Sequence, residues 1–323
     1  MIRPVRYRDL AAINSLYRVA GSGFSDWHAS PSPQTWPSTH GTLMESLLPA
    51  RSAHTYVLEE GGQVFGFIQA RPRSSYDKWD IIRLVATGEH PADLWHRLLE
   101  YVCVAAGNRR VTKLFANVPE EAEELEIFRQ IGFYRFTTEE ALSLPLSERG
   151  VVPPMPAPLR PAEARDSFHI LQLYNSVTPK NVQQAEGLTA RDYEPPRGFM
   201  SSWLQRFGLA QDSPDTLWTW VAEEDGKIFA WFQLRWREGR CRMSFLVHPD
   251  RRQEFPELRD YIVGTARATR PCVLGVQVRE YQQEMAPLFE EIGFQTNGRH
   301  LLLVKHIAVQ VMERRLTPVL TRA

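Results

Sequence analysis

The chain repeats itself once, and that repeat constrains its fold more than any other feature. Ile2-Arg3-Pro4, Arg8-Asp9, Ile13 and Leu16-Tyr17 return as Leu159-Arg160-Pro161, Arg165-Asp166, Ile170 and Leu173-Tyr174. The run Val57 to Gln69, with Glu59-Glu60-Gly61-Gly62 at its centre, returns as Val221 to Gln233 around Glu223-Glu224-Asp225-Gly226. Phe128-Arg129-Gln130-Ile131-Gly132-Phe133 returns as Phe289-Glu290-Glu291-Ile292-Gly293-Phe294. The blocks keep their order, and their spacing is that of a whole domain rather than of a solenoid unit of a few tens of residues. The chain is a tandem duplication, so its function lies in how the halves have diverged.

Its 323 residues suit two domains, each long enough to bury a core without disulfide or metal staples. Residues 1–150 carry 16 Lys+Arg and 18 Asp+Glu and the remainder 22 and 20, so neither half has the basic excess of a nucleic-acid binder. Three scattered cysteines, Cys103, Cys241 and Cys272, form neither a disulfide framework nor a metal knuckle. No apolar run is long enough to span a bilayer and the N-terminus lacks a signal-peptide core. The expectation is a cytoplasmic protein with no nucleic-acid, membrane or metal partner.

Val151 to Pro158 holds four prolines in eight residues and reads as a stiff extended connector. The expected organisation is therefore an N-terminal domain over 1–150, a linker over 151–158, a C-terminal domain over 159–306 and a tail over 307–323 containing Arg314-Arg315. In each half a short strand leads to a helix near Asp9 or Asp166, both suited to a helix start. Long variable stretches follow, 20–53 and 175–216, of the kind that are functional loops or hold short helices. Next come a hairpin, a strand ending at Val85 or Val247, a helix, a strand, a short helix ending at Ile131-Gly132 or Ile292-Gly293, and a last strand. Strands interleaved with helices predict an α/β, layered α+β fold, each half a mixed, mainly antiparallel sheet flanked by helices.

This order, with the Ile-Gly-Phe ending after a short helix, resembles the GNAT family of acyl-CoA-dependent N-acyltransferases, one unit per half. The resemblance implies a sheet that splays between its fourth and fifth strands, pantetheine in the wedge, and pyrophosphate on amides at a helix N-terminus. It also implies acetyl-CoA as co-substrate and a small-molecule or peptide amine as acceptor. The family's phosphate loop, an Arg or Gln followed by two spaced glycines, is altered in both halves. The first reads Val85-Ala86-Thr87-Gly88-Glu89-His90, with one glycine and no arginine. The second reads Leu246-Val247-His248-Pro249-Asp250-Arg251-Arg252, with an arginine pair and no glycine. Many members carry a tyrosine four residues before the Ile-Gly glycine, as an acid for the departing thiolate; here those positions are Phe128 and Phe289. Tyr134 and Tyr281 lie nearby in sequence.

The candidate cofactor-binding positions are thus Val85 and Gly88 in the first half, and Leu246, Val247, His248, Arg251 and Arg252 in the second. Arg251 and Arg252 suit phosphate oxygens, or belong to a charged surface loop. Asp80 is the candidate base accepting the amine's proton, or else a strand residue paired with Arg83 or Lys78. Loop aromatics (Phe24, Trp27, Trp36; Tyr193, Phe199, Trp203, Phe207) line an acceptor site or pack the loops down. Trp218, Trp220, Trp231 and Trp236 alternate on adjacent strands as sheet-face contacts. Five glutamates between Glu120 and Glu126 form a helix's solvated first turn.

Two functions follow. One is an N-acetyltransferase with at most one working half, a monomer (an internal pseudo-dimer) or a homodimer. The other is a catalytically inactive descendant that binds a ligand or partner.

Overall fold

The computed structural model describes residues 1–19, 53–73, 77–146, 150–194, 216–237, 240–269 and 272–308. The first half contributes strands β1 (Ile2–Pro4), β2 (His54–Glu60), β3 (Gln63–Pro72), β4 (Lys78–Ala86), β5 (Lys113–Pro119) and β6 (Tyr134–Leu146). Its helices are α1 (Leu10–Val19), α2 (Pro91–Asn108) and α3 (Glu124–Gln130). The second half contributes β7 (Leu159–Pro161), β8 (Thr216–Glu224), β9 (Lys227–Arg237), β10 (Arg240–Val247), β11 (Cys272–Arg279) and β12 (Gln295–His306). Its helices are α4 (Ser167–Val177), α5 (Lys180–Glu186), α6 (Phe255–Thr269) and α7 (Ala286–Glu290).

Each repeated block has a structural cause. In the first, Arg3 donates two hydrogen bonds to the Asp9 carboxylate, at 2.7 and 2.9 Å, and Asp9 also accepts from the Arg6 amide at 2.7 Å. Arg160, Asp166 and the Glu163 amide repeat this at 2.8, 3.0 and 2.7 Å. The aspartate thus satisfies an amide at the helix start while a fork of guanidinium donors neutralises it. In the second block, Gly61 and Gly62 at φ +56° and +84°, and Asp225 and Gly226 at +48° and +76°, close the hairpins with the positive φ pair of a type I′ turn. In the third, Gly132 and Gly293 (φ +92° and +94°) end α3 and α7. This left-handed cap turns the chain so that Phe128 meets Phe133, and Phe289 meets Phe294, edge to face at 5.0 and 5.2 Å.

Helices cover both faces of each half. Leu98, Leu99, Val102 and Ala106 of α2 bury against Leu58, Ile68 and Leu84, while Ile13 of α1 meets Val57, Phe67 and Val85 on the opposite face. In the second half Leu258, Ile262 and Ala266 of α6 oppose Ile170 and Leu173 of α4. The tryptophans follow the strand alternation: Trp220 and Trp236 lie on the α6 side and Trp231 on the α4 side.

The two halves share one twelve-stranded sheet in the order β1-β2-β3-β4-β5-β12-β6-β11-β10-β9-β8-β7. Each final strand has crossed over: β12 pairs with β5 of the first half, β6 pairs with β11 of the second, and β12 and β6 pair antiparallel between them. Glu139 and His300 are register partners at the middle of this seam. The repeat gave no sign of the exchange. Residues 150–156 run without regular structure, and an alanine Cβ at Gly264 of α6 would lie 2.4 Å from Pro153, so the proline segment is seated on that helix.

Candidate functional site

The parallel pair β4–β5 is in register only from Lys78↔Lys113 to Ile81↔Ala116, and β10–β11 only from Arg240↔Val273 to Met243↔Val276. Beyond those points the strands part, so each half has a wedge between its fourth and fifth strands. Among the described residues, backbone groups of β10 that point away from β9 have no strand partner beyond Met243, and a group entering the wedge could use them.

The wedges are filled differently. In the first half Arg83 is fully buried and donates to the Gln69 carbonyl at 2.7 Å, while Gln69 donates to Thr55 at 3.0 Å. In the second, a cavity of about 80 Å³ opens along Ser244, Phe245 and Leu246 and is closed by Tyr174, Glu186, Arg279 and Tyr281. That is several times the roughly 10–15 Å³ needed for one water.

A buried polar chain forms the cavity's wall and crosses into the other half. Tyr174 donates to Glu186 at 2.7 Å, and Arg279 donates to the other Glu186 oxygen at 3.1 Å. Arg279 also lies 3.3 Å from Glu139 of β6, which accepts from Asn117 of β5. Glu186 is set in place by the first half: Lys113 donates to the carbonyls of Gln184 and Ala185, and Lys78 to those of Glu186 and Gly187, at 2.6–2.9 Å. The carbonyls at the end of α5 are thus capped by cations, as the helix dipole favours. Burial raises the pKa of Tyr174 and Tyr193, with the nearby Glu186 charge adding to it, and burial pushes the Tyr281 hydroxyl up to about 12. These tyrosines therefore stay protonated at neutral pH. Burial likewise lowers Arg242, on the cavity wall, to about 10.

The sequence candidates are dispersed around this cavity. Leu246 lines it, and Val247 is buried in the core on the α6 side. His248 accepts from the Asp250 amide through Nδ1 at 3.3 Å. Arg251 is bound to Glu254 and Glu224 with its guanidinium 4.1 Å above Phe229, and Arg252 pairs with Glu284 at 2.5 Å. A 3₁₀ turn over Pro249–Glu254 precedes α6, where the family has a glycine loop. In the first half Val85 is buried under α1, and Gly88, at φ +137°, has open space on the side where a Cβ would stand. Asp80 accepts from Arg73 at 2.7 and 2.9 Å; its partner is Arg73, rather than the expected Arg83 or Lys78. Arg73 in turn stacks 3.5 Å from the Phe115 ring centroid.

Phe128 and Phe289 are completely buried within their aromatic pairs. Tyr134 is half exposed and stacks on His306, whereas Tyr281 sits in the cleft. Tyr193 lines the cavity and packs edge to face on Trp231 at 5.5 Å. The other loop aromatics, Phe24, Trp27, Trp36, Phe199, Trp203 and Phe207, lie outside the described residues, as do Arg314 and Arg315. Sequence reasoning missed Glu186, Arg279 and Arg242. The available signal was divergence between the copies: Arg279 stands where the first half has Pro119, and Arg242 where it has Asp80.

Neither a family model nor a curated protein matches the chain. Solved structures match it over nearly its whole length. A GCN5-related N-acetyltransferase (GNAT) from Sphaerobacter thermophilus shares 13% identity at a TM-score of 0.61, covering 96% of each chain. A tandem GNAT protein from the clavulanic acid biosynthesis pathway, solved without acetyl-CoA, shares 15% identity at 0.57, covering 96% of this chain and 99% of the other. A Drosophila protein shares 14% at 0.52, covering 95% and 98%. At these identities the likeness shows the fold, a tandem GNAT fold, and fold alone does not establish chemistry. Among the described residues no helix is long and apolar enough to cross a membrane.

Proposed function

We propose that the protein is an acyl-thioester-dependent N-acyltransferase whose working half is the second. The observation that carries this reading is the wedge beyond Met243 and Val276, with its cavity bounded by Tyr281, Glu186 and Arg279. Acetyl-CoA is the proposed donor and a small amine the acceptor.

An unprotonated amine attacks the thioester carbonyl, forming the C–N bond. An unpaired β10 amide stabilises the developing oxyanion, a role suited to a preorganised donor in a dry site. As the C–S bond breaks, the proton lost by nitrogen passes through Glu186 to the sulfur, which departs as a thiol. Tyr281, protonated throughout, hydrogen-bonds the sulfur. Tyr281→Phe should lower kcat roughly 10- to 100-fold with little change in KM, the worth of one hydrogen bond to a charged group.

The residues suit the thioester end of the donor better than its diphosphate. Arg251 and Arg252 are already engaged by carboxylates, and the turn over Pro249–Glu254 contains no glycine. Acetyl-CoA and the truncated S-acetyl-pantetheine should therefore raise the melting temperature similarly at equal concentration, since a ligand of the folded state stabilises it. No stabilisation by either at millimolar concentration would sink the enzyme reading. The same engaged arginines, with Phe128 and Phe289 at the acid positions, favour the second reading: a ligand-binding module without transfer activity.

A further inference from the structure

On the far side of Tyr281 lies a second, larger cavity of about 370 Å³, within the range of small-ligand sites. Its floor is Arg135, Phe136 and Thr137 of β6, from the first half. Its walls are Pro179, Asn181 and Val182 at the start of α5, and Glu280 and Tyr281 beyond the end of β11. Because Tyr281 lines both cavities, an acceptor held in this cleft between the halves would reach its hydroxyl from the side opposite the thioester.

The cleft carries one charge of each sign. Glu280 precedes Tyr281 in the chain, and among the described residues its carboxylate accepts only a hydroxyl hydrogen bond, from Thr138 at 3.2 Å. Arg135, on the floor strand, is exposed and makes no ion pair among the described residues. Phe136 and Val182 supply apolar surface, as both belong to the buried cluster beneath α5. An ammonium drawn to Glu280 would lie beside Tyr281, and a carboxylate would meet the Arg135 fork.

We propose that this cleft is the acceptor site and that its ligand is a zwitterion of amino-acid size, held by Glu280 at its amine and by Arg135 at its carboxylate. The assignment rests on the acyltransferase reading for the word acceptor, while the binding site itself can be tested without it. It also gives the first half a part in recognition, since Arg135 comes from an exchanged strand.

The test is calorimetric titration of the full chain, without thioester, using the standard L-amino acids, their C-terminal amides and their N-acetyl derivatives. At least one free amino acid should bind, with its amide and N-acetyl forms each weakened roughly 10- to 100-fold, the worth of a charge-assisted hydrogen bond. Arg135→Ala should weaken the free acid by the same factor and leave the amide unchanged, and Glu280→Gln should do so for the free amine and leave the N-acetyl form unchanged. Both positions are exposed, so the variants should fold like the parent. Absence of binding by every amino acid at millimolar concentration overturns the proposal, as does an amide that binds as tightly as its acid or an unaffected Arg135→Ala variant. A parallel titration with acetyl-CoA separates the two readings. Thioester binding without amino-acid binding removes this proposal alone, whereas amino-acid binding without thioester binding keeps the site and removes the enzyme.

Discussion

Replacing Asp9 by Asn should destabilise the protein at neutral pH and do progressively less harm as the medium is acidified. Asp9 is only 4% exposed and takes both prongs of Arg3, itself 7% exposed, together with the Arg6 amide. Breaking a buried pair by removing one partner costs about 3–5 kcal/mol, because the remaining charge stays desolvated. Here Glu59 still faces Arg3, which places the expected loss at the low end, about 3 kcal/mol. The equivalent Asp166→Asn should cost less, about 1–2 kcal/mol, because Arg160 is 31% exposed and water screens what remains. The hydrogen bond from Arg3 holds the Asp9 carboxyl below its ordinary value. A depressed pKa contributes stability that is present above the unfolded value, near 3.9 for aspartate, and that is lost as pH falls through the folded value. The gap between wild type and Asp9→Asn should thus be full at pH 7 and shrink below about pH 4. Urea unfolding followed by tryptophan fluorescence at several pH values measures it. A gap that is constant down to pH 3, or an Asp166→Asn loss larger than that of Asp9→Asn, would refute the argument.

Arg279→Met should destabilise by roughly 3 kcal/mol or more, since it strands both Glu139 and Glu186 in the interior; chemical denaturation is the check, and a loss under 1 kcal/mol would show that the chain from Tyr174 to Asn117 is not a unit. Residues 1–150 and 159–323 produced separately should each be unfolded or aggregated, because each leaves a long central strand without its partner. Co-expressed, they should recover one complex by size-exclusion chromatography, and two well-folded independent halves would contradict the exchange. Gly293→Ala should cost about 1–2 kcal/mol for the left-handed φ of +94°, read as a lowered melting temperature, and Gly132→Ala should cost a similar amount.

Most elements were legible because they rest on local rules. The turn glycines, the helix-starting aspartates and the glycine caps each solve a problem within a few residues of themselves. The exchange of β6 and β12 was not legible. Both final strands mix apolar and polar residues, both suit either neighbour, and nothing local decides which fifth strand each will join. The site was only partly visible for a related reason. Glu186 comes from one segment and Arg279 and Tyr281 from another, and they are brought together by the sheet seam and by Lys78 and Lys113, more than 60 residues away along the chain from the helix they hold. A single-half reading placed weight on the phosphate loops, where Arg251 and Arg252 prove to be bound by neighbouring glutamates. Comparing one copy with the other at Pro119 and Arg279 would have drawn attention to the second wedge.

The register at the seam has an evolutionary consequence. Glu139 and His300 occupy the same position in their respective copies, and they face each other where the two halves meet. In a dimer of identical chains, a residue on the twofold axis can only meet itself, and two buried glutamates there would repel. Joining the copies into one polypeptide frees the axis from that restriction. One copy keeps a carboxylate, which Arg279 and Asn117 hold in place. The other supplies an imidazole that burial brings to a pKa of about 4 and so keeps uncharged. A fusion of the two copies permits an asymmetric centre that no homodimer of identical chains could have on its axis.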